Sequence, residues 1–155
     1  MEDLWKTAAE TGQNMCCLID AKELPKVDAM CQGHPGTPVV IDHFARVGVS
    51  GEIRDADVAN LCSLAKNKNV AIKLSAYYAL GKKQPPYDDL LPLIRRVVDS
   101  FGVERCMWAS DSPYQVQPPN TYAASIKLIR DVLGGISSGD REWLLRKTAE
   151  RVFFQ

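Results

Sequence analysis

Residues 38–74, PVVIDHFARVGVSGEIRDADVANLCSLAKNKNVAIKL, decide the fold. They open on an apolar run, Pro38–Asp42, and cross a polar, glycine-marked stretch to Asp55. Val58, Leu61, Cys62 and Ala65 then recur on one face of a helical pattern over 56–66. A second apolar run, Val70–Leu74, closes the unit. Short runs that are apolar on both faces suit strands buried between helices in a parallel sheet. No tight hairpin turn lies between them, so the segment specifies strand, crossover helix and parallel strand.

The same texture extends in both directions. Upstream, a helical pattern over Leu4–Thr11 precedes an apolar run at Met15–Ile19, and a second pattern over Ala21–Met30 carries Pro25 in its first turn. Downstream, Leu90, Leu91, Ile94, Val97 and Val98 mark a helix over Tyr87–Phe101 that Gly102 stops. A fourth strand is expected at Arg105–Ala109 and a helix at Tyr122–Leu133, ended by Gly134-Gly135. A last helix over Asp140–Phe153 is capped by Ser137 or Ser138. Right-handed crossovers leave an open doubly wound sheet or a segment of a barrel. Neither a glycine-rich dinucleotide fingerprint nor a phosphate loop follows any of these strands, which disfavours the nucleotide-binding open sheets.

Lys plus Arg equals Asp plus Glu, 19 each, so no bulk charge draws the chain to nucleic acid or to anionic lipid. No apolar run approaches a membrane span, and the opening MEDLWKTAAE is acidic and amphipathic, unlike a signal peptide. The 5 cysteines are odd in number and form no CxxC pair; Cys16, Cys17 and Cys106 fall within strand-like runs. Free, reduced thiols in a cytoplasmic protein are expected, and a zinc-thiolate site is not.

Polar residues gather where the apolar runs end: Asp42-His43, Lys73 through Tyr78, and Ser110-Asp111. Both barrels and open α/β sheets build their sites at these carboxyl ends. Asp111, before Ser112-Pro113, is costly to bury without a partner or a task, although capping its loop is an alternative. His43 follows a buried strand and should face whatever cavity the strand ends line, with a titration range suited to neutral pH. Asp42 is expected to orient the loop or bind backbone. Lys73 needs a polar cavity or a counter-ion, unless it snorkels to solvent. Tyr77 and Tyr78 offer hydroxyls to a substrate or else cover the core, and Arg46 offers a bidentate clamp for an acid group. His34, in a turn before a strand, belongs to the opposite end and to the surface.

PVVIDHFARVG, VAIKLSAYY, YDDLLPLIRRVVDSFGVERCMWASDSPY and LLRKTAERVFF, in that order, resemble the carboxyl-terminal half of amidohydrolase-related proteins. These are TIM-barrel hydrolases and decarboxylases that include pyrone-dicarboxylate and sugar lactonases. The resemblance implies an α/β chain forming the carboxyl-terminal half of a (β/α)8 barrel. Four parallel strands, numbers five to eight, would alternate with helices in one partial domain over 1–155. At 155 residues the chain is well short of a typical barrel of about 250. The resemblance makes His43 an active-site histidine and Asp111 a general base, or a metal ligand and proton shuttle. It also sets the Lys73 strand beside the substrate.

The implied reaction is hydrolysis of a lactone or similar ester of a carboxylated small molecule. Asp111 would activate water, and His43 would polarise the carbonyl or help bind a metal. Arg46, Lys73 and Tyr77 or Tyr78 would hold the acid groups. A non-hydrolytic decarboxylase and a catalytically inactive assembly module are the alternatives. The chain departs from the family pattern in lacking an H-x-H pair, in having no histidine in the Met15 strand, and in carrying Thr148 where the closing helix usually has asparagine. No cofactor is therefore expected in this chain itself, while the resemblance allows a divalent metal in full-length relatives. Two apolar edge strands, MCCLI and RCMWA, point to a homodimer or to assembly with a missing half-barrel.

Overall fold

A computed structural model describes residues 2–154. The strands are β1 (Met15–Cys17), β2 (Val39–Ile41), β3 (Val70–Leu74) and β4 (Cys106–Trp108). All pairings are parallel and the spatial order is β1-β2-β3-β4, the order of the chain. An open doubly wound sheet reverses direction at a switch point, whereas a barrel wall adds each strand beside the last. The sequential order therefore selects the barrel segment, and the fold is a half-barrel.

The helices are α1 (Glu2–Thr11), α2 (Leu24–Gly33), α3 (Asp55–Ser63), α4 (Leu91–Phe101), α5 (Tyr122–Lys127), α6 (Ser138–Glu142) and α7 (Thr148–Phe153). Side chains alternate across each strand. One face sends Val39, Ile41, Val70, Ile72, Leu74 and Cys106 into the main core, against Leu24, Leu61, Leu93, Ile94, Val97 and Phe101 from the helices. Each large apolar side chain fully buried there contributes roughly 1.5–3 kcal/mol before entropy is counted. The opposite, concave face carries a smaller cluster of Val40, Ala71 and Met107, covered by Ala149 and Val152 of α7.

Several boundaries differ from the sequence pattern for identifiable reasons. β4 starts at Cys106 rather than Arg105, whose guanidinium donates to the carbonyls of Phe101, Asn67 and Ala65. The helix expected from Tyr87 begins at Leu91, after a 3-10 turn at Asp88–Leu90. Tyr87 itself is left-handed (φ 67°), is buried, and donates its hydroxyl to Asn120 Oδ1. The last helix is longer than expected, with a π turn at Trp143–Lys147 joining α6 to α7. Ser137 is its cap: it accepts from the Asp140 amide while Asp140 accepts from the Ser137 amide. No helix among the described residues is long and apolar enough to cross a membrane. His34 is half-buried beside Trp5 (6.2 Å between rings), near the amino end of β2.

Candidate active site

The carboxyl ends of β2, β3 and β4 bring His43, Ser75, Tyr78 and Asp111 together. After Ile41 the backbone passes Asp42 and then makes a left-handed turn, with φ of 53°, 54°, 51° and 55° at His43, Phe44, Ala45 and Arg46. Each non-glycine residue there costs roughly 1–2 kcal/mol, so the turn persists only because its surroundings hold it. Phe44 and Ala45 are fully buried, and the Phe44 ring packs 6.3 Å from that of Tyr77. Asp111 is likewise left-handed (φ 52°). Backbone strain thus coincides with both residues that the sequence singles out for chemistry.

A chain of polar contacts runs through the four. His43 Nδ1 lies 2.7 Å from Ser75 Oγ, and its Nε2 lies 3.7 Å from Asp111 Oδ1. Asp111 Oδ2 accepts a 2.7 Å hydrogen bond from the Tyr78 hydroxyl. The Tyr78 ring stacks on Tyr114, 6.1 Å away. Burial raises the Tyr78 hydroxyl well above the ordinary tyrosine range, and the Asp111 bond adds to the rise, so Tyr78 stays a donor. The imidazole and carboxylate are 17% and 21% exposed, shielded yet reachable from the barrel mouth.

A second pair stands beside the first. Lys73 Nζ contacts Asp42 Oδ1 at 2.8 Å and lies 5.4 Å from the Phe153 ring centroid. Asp42 is therefore a counter-ion for Lys73 of the neighbouring strand, and its side chain makes no capping hydrogen bond to the turn that follows, in contrast to the loop-orienting or backbone-binding role expected of it. Arg46 is about half exposed and pairs with Asp20 Oδ1 at 3.0 Å. Its charge is felt at Tyr78, so it borders the cluster without joining the chain of polar contacts. Tyr77 does not line the mouth. It is fully buried between Phe44 and Tyr87, and its hydroxyl has no partner among the described residues, which makes it a core residue and not a substrate contact.

Ser75 is the member that the sequence pattern does not single out. It stands two residues beyond Lys73, so strand alternation puts it on the same face, and that spacing is the available signal. A cavity of about 630 Å³ lies at the other end of the sheet, lined among others by Asn14, Cys16, Asn69 and Val152. It has no part in this cluster.

The donor set does not make a complete metal centre. Among the described residues, no group of three or more His, Cys, Asp or Glu side chains converges on one point. His43 and Asp111 supply two donors where zinc takes three or four from protein.

Comparison with known proteins gives the family and the fold. The chain is 34% identical over 99 residues to the L-fucono-1,5-lactonase of Burkholderia ambifaria, an alignment covering 62% of this chain and 33% of that protein. A zinc-bound amidohydrolase from Burkholderia multivorans superposes with a TM-score of 0.80 at 21% identity, covering 97% of this chain and 56% of that one. A putative 2-pyrone-4,6-dicarboxylic acid hydrolase from Pseudomonas putida gives a TM-score of 0.76 at 26% identity, over 94% of this chain and 53% of its own. The chain thus spans about a third of that curated relative and somewhat over half of the solved barrels. The amidohydrolase family's sequence model matches residues 4–155, and the chain belongs to that family.

Proposed function

We propose that this chain supplies one half of the active site of a lactone hydrolase acting on a carboxylated small molecule. The observation that carries it is Asp111, held at the barrel mouth between the Tyr78 hydroxyl and His43 Nε2. Asp111 takes a proton from water, and the resulting hydroxide attacks the lactone carbonyl. An N–H on His43 Nε2 donates to the carbonyl oxygen as negative charge develops there. The tetrahedral adduct then collapses, the ring C–O bond breaks, and the protonated Asp111 returns its proton to the leaving oxygen. Tyr78 keeps the Asp111 carboxylate aimed at the water.

Arg46 and Lys73 are the cations within reach for the substrate's acid group, although each is already paired, with Asp20 and Asp42 respectively. A substrate carboxylate would have to share or displace those partners. The names of two relatives, a sugar lactonase and a pyrone-dicarboxylic acid hydrolase, support both the ester-opening chemistry and an acidic substrate. The reaction belongs to a closed barrel, in which four further strands join the open edges of β1 and β4, from the same polypeptide or from a partner.

The test is Asp111→Asn in the barrel-complete form that hydrolyses a lactone. General-base catalysis contributes about 10²–10⁴-fold, so turnover should fall at least about a hundredfold while the melting temperature moves by no more than a few degrees. His43→Ala should be severe and His34→Ala silent. Near-normal turnover of Asp111→Asn would overturn the assignment.

A further inference from the structure

We propose that Ser75 is a positioning residue that holds His43 in the tautomer carrying its proton on Nε2. This rests on the lactone-hydrolase proposal only for its consequence; its geometry stands by itself. Ser75 is fully buried, and its hydroxyl lies 2.7 Å from His43 Nδ1. A buried hydroxyl that donates to nothing is costly, and that nitrogen is the one side-chain partner the Ser75 hydroxyl has among the described residues. If Ser75 donates, Nδ1 is the acceptor and the ring proton sits on Nε2.

The other side of the ring requires the same proton. Nε2 faces Asp111 Oδ1 at 3.7 Å, while Asp111 Oδ2 is occupied by the Tyr78 hydroxyl. A carboxylate is an acceptor only. An Nε2 lone pair would oppose a carboxylate lone pair and leave the Ser75 proton without an acceptor. With the proton on Nε2, all donors point one way: Ser75 to His43, His43 towards Asp111, and Tyr78 to Asp111.

The fold makes the contact rigid. Strand alternation sets Ala71, Lys73 and Ser75 on the concave face of β3 and its extension. The left-handed turn at His43 brings the imidazole over Ser75 from the neighbouring strand. The consequence for the site is that Nε2–H, the group needed to polarise a carbonyl, is presented before substrate arrives.

The experiment is a long-range ¹⁵N–¹H correlation spectrum of the labelled full chain, recorded over a pH series and read at the alkaline end, where the imidazole signals no longer move. The chain has only 2 histidines, and His34→Gln assigns the signals. The expected wild-type pattern is a single His43 tautomer with Nδ1 bare and Nε2 protonated. Ser75→Ala should shift His43 to a mixture of tautomers, and Ser75→Thr should restore the single form. A wild-type His43 protonated on Nδ1, or a Ser75→Ala spectrum unchanged from wild type, would overturn the proposal. The wild-type measurement needs no variant to fold. Finding the expected tautomer while the barrel-complete form opens no lactone would leave the positioning role intact and remove the hydrolase proposal instead.

Discussion

Replacing Lys73 by methionine tests whether its charge is structural or free for substrate. The Nζ–Oδ1 separation from Asp42 is 2.8 Å, and the two side chains are 23% and 14% exposed. At an effective dielectric of about 20, two unit charges at that distance attract by roughly 6 kcal/mol. Desolvation of both ions offsets much of this, so the pair as a whole contributes little. Breaking it is different, because Asp42 is then left unpaired beside the Val40–Ala71 cluster. Removing one partner of a fully buried pair costs about 3–5 kcal/mol; the residual water access at this site brings that down to roughly 2 kcal/mol.

Methionine keeps an unbranched stem one atom shorter than lysine's and gives up the Nζ–Phe153 contact, a loss small beside that of the ion pair. For a domain of this size each kcal/mol moves the melting temperature by about 2–4 °C, giving an expected drop of about 4–8 °C. Urea unfolding of Lys73→Met, Asp42→Asn and the double variant closes a thermodynamic cycle. The double variant should cost less than the sum of the singles by about 1–2 kcal/mol. If both singles stay within about 0.5 kcal/mol of wild type and show no coupling, the contact is a screened surface pair. Lys73 would then be free to bind a substrate acid group, and burial would not be what holds the pair together.

Two further outcomes follow from the same structure. Burial pushes the Cys17 thiol up to about 11, that of Cys31 up to about 12 and that of Cys106 further still, which lowers their thiolate fraction at any pH near neutrality. Mass spectrometry of native chain treated with iodoacetamide at about pH 8 should show Cys16 labelled first and Cys31 and Cys106 untouched until denaturant is added, whereas equal labelling of Cys16 and Cys106 would contradict the placement of β4. Ser137→Ala removes the cap shared with Asp140 and should lower stability by about 1 kcal/mol in a urea titration, with Ser137→Asp recovering most of it.

The strands are legible in the sequence because burial on both faces leaves continuous apolar runs, and PVVID and VAIKL show it plainly. Their order is not legible, since nothing in such runs says which neighbour each one takes; only the sequential pairing separates a barrel wall from a doubly wound sheet. The site is half legible for the same reason. His43 and Asp111 announce themselves as polar residues ending apolar strands, but their partners depend on register between strands. Ile41 aligns with Ile72, which puts Asp42 level with Lys73, and no pattern within either strand encodes that. Tyr77 and Tyr78 are identical in type and adjacent in sequence. The left-handed backbone at Ala76 (φ 59°) and the turn that follows send Tyr77 into the core and leave Tyr78 for Asp111.

Closure of the barrel is constrained by the chain's own last helix. A half-barrel with an empty concave face would leave Val40 wet, yet Val40 is 0% exposed because Ala149 and Val152 lie over it. In a closed (β/α)8 barrel that interior is filled by layers of side chains from all the strands. Four further strands could therefore complete the wall only if α7 gave up its place over Val40, Ala71 and Met107. Exchange of one apolar cover for another of similar area would cost little net hydrophobic energy, since burial is roughly proportional to area and not to the identity of the covering group. The residue that would register the exchange is Lys73, because Phe153 of α7 lies against it. Ser75, His43, Tyr78 and Asp111 are held by the ends of β2, β3 and β4 and by one another, so the chain of polar contacts at the mouth does not depend on which cover the interior wears.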